Sequence, residues 1–373
     1  MRLTYWHGQM AFGSHELSLS SARGGKFMRE SPDIESHSPP PVLERAIFGF
    51  MASHVLFAAD DLGVLDLLAQ GEAFESTALA TKLSVSEEAL DRLLTALVGM
   101  ELLTRDGGGY RMPPQIRPFL SRSHGLYCGG LFPLLKHFSM RTFMHLGDAL
   151  VDGAPQWKKV LPGEGAAPFD LIYQDAGALE RFAQAMWSLG YQAATELVRP
   201  LALERGGHLV DLGGGSGSFA VAALQQWPAL TADVFDRPAM ESTVARQRDA
   251  HGLGSRLGFV GGDFFQSGLP RADLYALGFI LSDWTDAQSL PLLRAIHSAL
   301  APGGQILILE RLFNEQRTGP LPTALMDLCM LLETGGKHRS AAQYHALLRQ
   351  AGFSPGPVHH SSYEKHMVVG IKA

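Results

Sequence analysis

The sequence predicts a doubly wound α/β domain with a parallel sheet, preceded by a mostly helical domain whose elements follow winged-helix order. Three observations carry this. From His208 onward, strand-type and helix-type segments alternate at the lengths of βαβ units. The first of those strands runs through Asp211-Leu212-Gly213-Gly214-Gly215-Ser216-Gly217 straight into a helix. Upstream, helical patterns end in a short hairpin signal at Asp106-Gly107-Gly108-Gly109-Tyr110. At 373 residues there is room for two domains, using a soft prior of roughly 100–200 residues each.

Residues 1–41 lack apolar periodicity and end in Ser38-Pro39-Pro40-Pro41, so they are expected to be a disordered tail, with Met28 as an alternative start. No apolar stretch follows Arg2 as a signal peptide would require. Residues 42–125 form the expected winged-helix-like domain. Ile47, Phe50, Val55, Ala58 and Ala59 recur at helical spacing on more than one face, which suits a subunit interface. Ser86 caps a helix that continues through Leu90, Leu93, Leu94 and Leu97. Residues 126–206 read as a helical linker and lid. Its segment Phe182–Trp187 suits core packing, or a pocket wall carrying Phe182 and Met186. Residues 207–373 hold the α/β domain, with strands expected at 208–212, 232–235, 272–277 and 305–310 and helices at 218–226 and 287–300.

The composition narrows the function. A net charge of -6 argues against a nucleic-acid footprint. The helix after Ser86 presents Glu87, Glu88 and Asp91 against Arg92, so as a DNA-reading helix it would repel phosphate. No apolar run reaches the ~18 residues expected of a membrane span. Cys128 and Cys329 are too few for a disulfide framework or zinc site, and no other metal site is evident. A cytoplasmic setting is expected.

The glycine loop carries the chemistry. Gly213, Gly215 and Gly217 let backbone approach a ligand, and the helix behind them offers free N–H groups to an anion. In the nicotinamide fingerprint the third glycine would fall on Ser218. The spacing instead favours the methyltransferase version, which holds the amino-acid part of S-adenosylmethionine. Asp236 ends the next strand and is expected to accept the ribose hydroxyls. Asp263 is expected at the adenine amino group, with Phe264 flanking the ring.

With these residues in place, the chain resembles the acetylserotonin and plant-type small-molecule O-methyltransferases over about residues 45–373. The resemblance rests on Val55–Ala59, Asp211–Gly217, Gly262–Phe265, Asp273–Tyr275, Asp283-Trp284, Pro302–Gly304 and Ala351–Phe353. It implies a homodimer whose N-terminal domain closes over the partner's site, and methylation of a hydroxyl, usually phenolic, on a small aromatic molecule. The family carries a catalytic histidine before Asp-Trp, steered by two glutamates. Here that position is Ser282, the first glutamate is kept as Glu310, and the second has become His338. His338, oriented by Glu310, is therefore a candidate relocated base; a plain loop residue is the alternative, as is a reaction driven by positioning alone. Asp283 either accepts a hydrogen bond from the acceptor or caps the helix after Trp284. Cys329 and Glu333 stand where family members acting on N-acetylserotonin bear Asn and Gln, and Glu333 would favour a donor or positive charge in the acceptor. Two rival readings remain at this stage: a family member repurposed for hydroxylation, decarboxylation or elimination, and a winged-helix regulatory or binding protein.

Overall fold

The computed structural model describes residues 39–107, 109–161 and 167–373. The expected tail lies outside the described residues except for 39–41, and Pro41 already opens a helix. The chain divides into two units at Gly49. The described part of the first is the beginning of α1; the description below concerns the second.

Four helices come first: α1 (Pro41–Asp61), α2 (Val64–Ala69), α3 (Ser76–Leu83) and α4 (Glu87–Gly99). A hairpin follows, β1 (Thr104–Asp106) against β2 (Gly109–Arg111). Ser86 caps α4 as expected, its Oγ accepting the Ala89 N–H at 3.5 Å. Leucines 65, 68, 79, 90, 94 and 97 close on Tyr110 and Met112 of the hairpin to make one core. The Tyr110 hydroxyl donates to Asp91 at 2.7 Å, so one acid of α4 is spent on the hairpin.

Among the described residues α1 is, by length and composition, the helix long and apolar enough to cross a membrane, although no unbroken apolar run in it reaches that length. It has 21 residues and a mean hydropathy of 1.4 over its most apolar window, of which 11% is buried. The charged pairs Glu44-Arg45 and Asp60-Asp61 flank the apolar stretch, which is why residue runs alone hid it. An exposed apolar helix face equally marks a protein interface, and Phe50 and Met51 are both exposed.

Short helices α5 (Arg117–Leu120), α6 (Phe132–Leu134), α7 (Met140–Phe143), α8 (Leu146–Asp152) and α9 (Pro168–Ile172) lead to the long α10 (Ala176–Leu197). Asp175 caps α10 through the Ala178 N–H. The sheet then builds through β3 (Gly207–Leu212), α11 (Ser218–Gln226), β4 (Leu230–Asp236), α12 (Glu241–Ala250), β5 (Leu257–Gly261), β6 (Ala272–Gly278), α13 (Asp286–Ala299) and β7 (Leu300–Glu310). A two-residue parallel pair, β8 (Leu312–Phe313) and β9 (Arg339–Ser340), brackets α14 (Leu321–Glu333). Last come α15 (Ala341–Gln350), β10 (Ser354–His359) and β11 (His366–Ile371).

The seven strands lie in the order β10-β11-β7-β6-β3-β4-β5. Strands β3 to β7 are parallel; β11 runs antiparallel to β7, and β10, antiparallel to β11, forms that edge of the sheet. Side chains of β3 alternate between two cores. Leu209 joins Leu274, Leu307 and the residues of α10 and α11; Val210 joins Tyr275, Ile308 and α13 and α15. Burial on both faces explains why these strands read as near-continuous apolar runs. Strand β3 has β4 on one side and β6 on the other, so its C-terminal end is the switch point where doubly wound sheets bind ligands.

Thr285, not Asp283, caps α13: its Oγ accepts the Gln288 N–H at 3.3 Å, and Gln288 reaches back to the Thr285 N–H at 3.1 Å. Asp283 lies in a single 3-10 turn, Leu281–Asp283, near enough to Glu310 at the end of β7 and to Glu333 to feel their charges.

Candidate functional site

The glycine loop forms the floor of the crevice. Gly213, Gly215 and Gly217 have φ of 63°, 58° and 78°, a left-handed region that costs other residues roughly 1–2 kcal/mol. At Gly213 a Cβ would also come within 2.4 Å of Ile280 Cδ1, whereas at Gly215 it would meet nothing within 4 Å. Backbone conformation therefore requires all three glycines, and open space for a ligand is left above Gly215. The Gly213 N–H donates to the Phe235 carbonyl at 2.7 Å, which ties the loop to the end of β4.

Asp211 is buried and its Oδ2 accepts the Ala220 N–H at 3.1 Å, so it fixes the loop to the first turn of α11. Burial pushes its carboxyl up to about 6, against the pull of the Ala220 N–H and the Lys365 charge. Asp236 accepts from the Tyr173 hydroxyl at 2.8 Å, the Gly215 N–H at 2.8 Å and the Arg237 N–H at 2.7 Å. Those are three of about four acceptor positions on a carboxylate. Burial raises its pKa, and these donors oppose the rise. A second tie runs beside the first, Arg237 to Asp170 at 3.0 Å. The segment around α9 is thus latched to the end of β4 beside the loop. Asp263 turns inward on its own loop, accepting from the Phe265 N–H at 2.9 Å and the Gln266 amide at 3.0 Å. Phe264 packs edge-on to Trp284 with ring centres 6.4 Å apart.

The second half of the site is acidic. Glu310 ends β7 with no exposed surface, and its Oε1 accepts the Ser282 N–H at 3.1 Å. Its other oxygen, Oε2, has no hydrogen-bond partner and faces His338 Nδ1 at 3.8 Å. Burial pushes Glu310 up to about 7, with the Ser282 hydrogen bonds and the charges of Lys365 and Arg339 opposing. Asp283 is driven well above the usual carboxylate range, first by burial and then by the charges of Glu310 and Glu333. Glu333 accepts from the Ser139 hydroxyl at 2.8 Å, and burial raises it to about 7. Cys329, one turn earlier on α14, is buried and its thiol is pushed up by that burial. Phe182 and Met186 are half-buried on α10, with Phe169 edge-on to Phe182 at 5.9 Å.

His338 is 2% exposed, and neither ring nitrogen has a hydrogen-bond partner among the described residues. Burial, Arg311 and Arg339 push its pKa down to about 4. At neutral pH it is an uncharged imidazole buried beside Glu310. Asp283 and Glu333 retain partial exposure.

Sequence reasoning missed the residues that hold this arrangement. Arg339 is 1% exposed and donates to the carbonyls of Leu281 (2.7 Å) and Trp284 (2.9 Å) and to Asp286 (2.7 Å), clamping the turn that carries Ser282 and Asp283. Gly336 lets that segment approach, because a Cβ there would lie 2.0 Å from the Ser282 carbonyl oxygen. Tyr173, Ser139 and Lys365 also line the two halves, and no local pattern in the sequence singles them out.

A glycine loop at the switch point of a doubly wound sheet, facing buried acids on the neighbouring strand ends, defines an α/β methyltransferase. The comparisons narrow this. An O-methyltransferase domain matches residues 143–354, and an O-methyltransferase dimerisation domain matches residues 44–122. Acetylserotonin O-methyltransferase of Gallus gallus is 31% identical over 341 residues, 89% of this chain and 97% of that protein. The solved structure of human N-acetylserotonin methyltransferase in complex with SAM superposes with a TM-score of 0.83 at 31% identity, covering 91% of this chain and 99% of that one. That of PigF with SAH gives a TM-score of 0.79 at 28% identity, covering 90% and 100%. The chain belongs to the O-methyltransferase family, and its cofactor is S-adenosylmethionine.

Proposed function

We propose that this O-methyltransferase acts as a homodimer on a hydroxyl of a small aromatic acceptor, and that the hydroxyl proton passes to the buried acid cluster with Asp283 at its mouth. The dimerisation domain and the exposed Phe50 and Met51 support the homodimer. The relatives' substrate, acetylserotonin, supports the aromatic acceptor. When bound, the cofactor supplies an electrophilic sulfonium methyl group.

The chain's own residues do the rest. In this reading Asp236, through the acceptor position its three protein donors leave over, takes the ribose, Asp263 and Phe264 take the adenine, and the glycine loop takes the amino-acid end. On the same reading Phe182 and Met186 supply an apolar wall for the acceptor ring, and Cys329 and Glu333 on α14 supply polar contacts to it. The observation that carries the proton route is the raised pKa of three neighbouring acids: burial lifts Glu310 and Glu333 to about 7, and burial together with the charges of those two lifts Asp283. Glu310 and Glu333 are thereby stronger proton acceptors than ordinary carboxylates, and Asp283 is shifted in the same direction. His338, held neutral, accepts from Glu310 once Glu310 is protonated and so positions that carboxyl.

The test is mass spectrometry of reactions with S-adenosylmethionine and a panel of phenols, indoles and amines, run for wild type, Asp283→Asn and His338→Ala. A product heavier by one methyl group should appear with S-adenosylhomocysteine. Its rate should fall by ~10²–10⁴ in Asp283→Asn, and less in His338→Ala. Full activity in Asp283→Asn would remove the acid cluster from the proton route. Full activity loss in His338→Ala alone would make the imidazole the base. Cofactor bound with no methyl moved across the panel would favour the repurposed reading.

A further inference from the structure

We propose that Lys365 is the cation that binds the carboxylate at the methionine end of the cofactor, and that it reaches this position from the start of β11, the strand that runs antiparallel to β7. Lys365 immediately precedes β11. Because β11 runs antiparallel to β7, with His366 opposite Glu310, its start lies at the same end of the sheet as the glycine loop. The side chain reaches inward from there and is only 5% exposed.

Its ammonium occupies a niche made by three other elements. Nζ lies 4.1 Å from the ring centre of Phe279, just beyond β6. A Cβ on Gly278 would fall 3.0 Å from Nζ, and one on Gly190 of α10 would fall 3.3 Å from it. The same Gly190 position would lie 2.7 Å from the Oγ of Ser218, the first residue of α11. Two glycines therefore keep the niche open, and Lys365 and Ser218 both border it. The Phe279 backbone is held at φ 57°, in the left-handed region. Non-glycine residues reach that region at a cost, and such strain clusters at ligand sites.

Among the described residues Nζ makes no hydrogen bond, and no carboxylate oxygen lies within 4.0 Å of it. Buried charges are ordinarily paired, because desolvating them alone is costly. The Phe279 ring face offsets part of that cost. The carboxylates whose charge the ammonium feels are Glu310 and Asp211, with Arg311 opposing. Burial lowers its pKa to about 8, so it remains mainly protonated at neutral pH.

The missing partner is a small anion beside the N-terminus of α11, where Gly217 provides no side-chain cap. Helix N-termini favour anions as well. Within the cofactor, adenine and ribose are uncharged and the sulfonium is positive, so the methionine carboxylate is the anion that fits. The assignment rests on S-adenosylmethionine being the cofactor.

The experiment is calorimetric binding of S-adenosylhomocysteine and its decarboxylated analogue, which keeps the amine and nucleoside but lacks the carboxylate. Wild type should bind S-adenosylhomocysteine about 10- to 100-fold more tightly than the analogue, the range expected of a charged hydrogen bond. Lys365→Met should lose that preference while binding the analogue as wild type does, which also shows that the variant is folded. Adding Phe279→Lys to Lys365→Met returns an ammonium to the niche from its other wall and should restore the preference. Equal weakening of both ligands in Lys365→Met would mark a purely structural lysine and overturn the proposal. So would a wild type that does not distinguish the ligands, whatever the fate of the variants. A wild type that binds neither overturns the cofactor reading itself.

Discussion

Gly215→Ala separates what the glycine loop does for the fold from what it does for the cofactor. Residue 215 sits at φ 58°, and a Cβ there would touch no protein atom within 4 Å. The cost to the free protein is then only the left-handed backbone penalty, roughly 1–2 kcal/mol. Gly213→Ala has nearly the same φ, 63°, but its Cβ would lie 2.4 Å from Ile280 Cδ1. Ile280 is packed in the core between β6 and α13. Overpacking adds about 1–3 kcal/mol, for a total of about 2–5 kcal/mol. Urea unfolding followed by tryptophan fluorescence gives the stabilities, and calorimetry with S-adenosylhomocysteine gives the affinities. Gly215→Ala should lose at least about tenfold in affinity, ~1.4 kcal/mol, because its new methyl group points into the ligand's space. Wild-type affinity in Gly215→Ala, with the stability loss alone, would show that the cofactor does not approach this backbone. Equal destabilisation by the two variants would refute the part assigned to Ile280.

Three further outcomes follow from the geometry. Arg339→Met should destabilise the chain by about 3 kcal/mol in urea unfolding, since it strips partners from the Leu281 and Trp284 carbonyls; Arg339→Lys should recover little of this, having no planar fork. Phe50→Glu with Met51→Glu should convert a dimer to a monomer by light scattering, and an unchanged mass would place the interface elsewhere. The third is pH dependence. Glu310 is raised to about 7 in the fold from an ordinary value of 4.5, so the folded state binds more protons than the unfolded one between those values. Stability linked to Glu310 is present below about 4.5 and lost as pH rises through about 7. His338, depressed to about 4, works in the opposite sense, its share rising as pH climbs from about 4 toward 6.5. Glu310→Gln should therefore gain melting temperature relative to wild type as pH rises from 4.5 to about 7, and a constant difference would sink the argument.

What the sequence determined by itself was local. Strand and helix alternation from residue 208 onward, the Ser86 cap and the loop from Asp211 to Gly217 all depend on neighbours a few positions apart. Periodicity and φ preference act over that distance, so they are legible without a fold. The loop's three positive-φ glycines and its strand–loop–helix setting stand as the spacing predicts. What only the tertiary structure decided was the company each side chain keeps. Ser139 meets Glu333 across 194 positions, Tyr173 meets Asp236 across 63, and Arg339 meets Leu281 across 58. Asp283 looked equally like a helix cap or a substrate contact until Thr285 took the cap. His338 read as a candidate base from its residue type alone; that burial and two arginines hold it as a weakly basic, neutral imidazole beside Glu310 is visible only in the fold. Desolvation and charge proximity set protonation, and both are fixed by packing between distant segments. The residue types announced an acid–imidazole site; the protonation of its members follows from the fold.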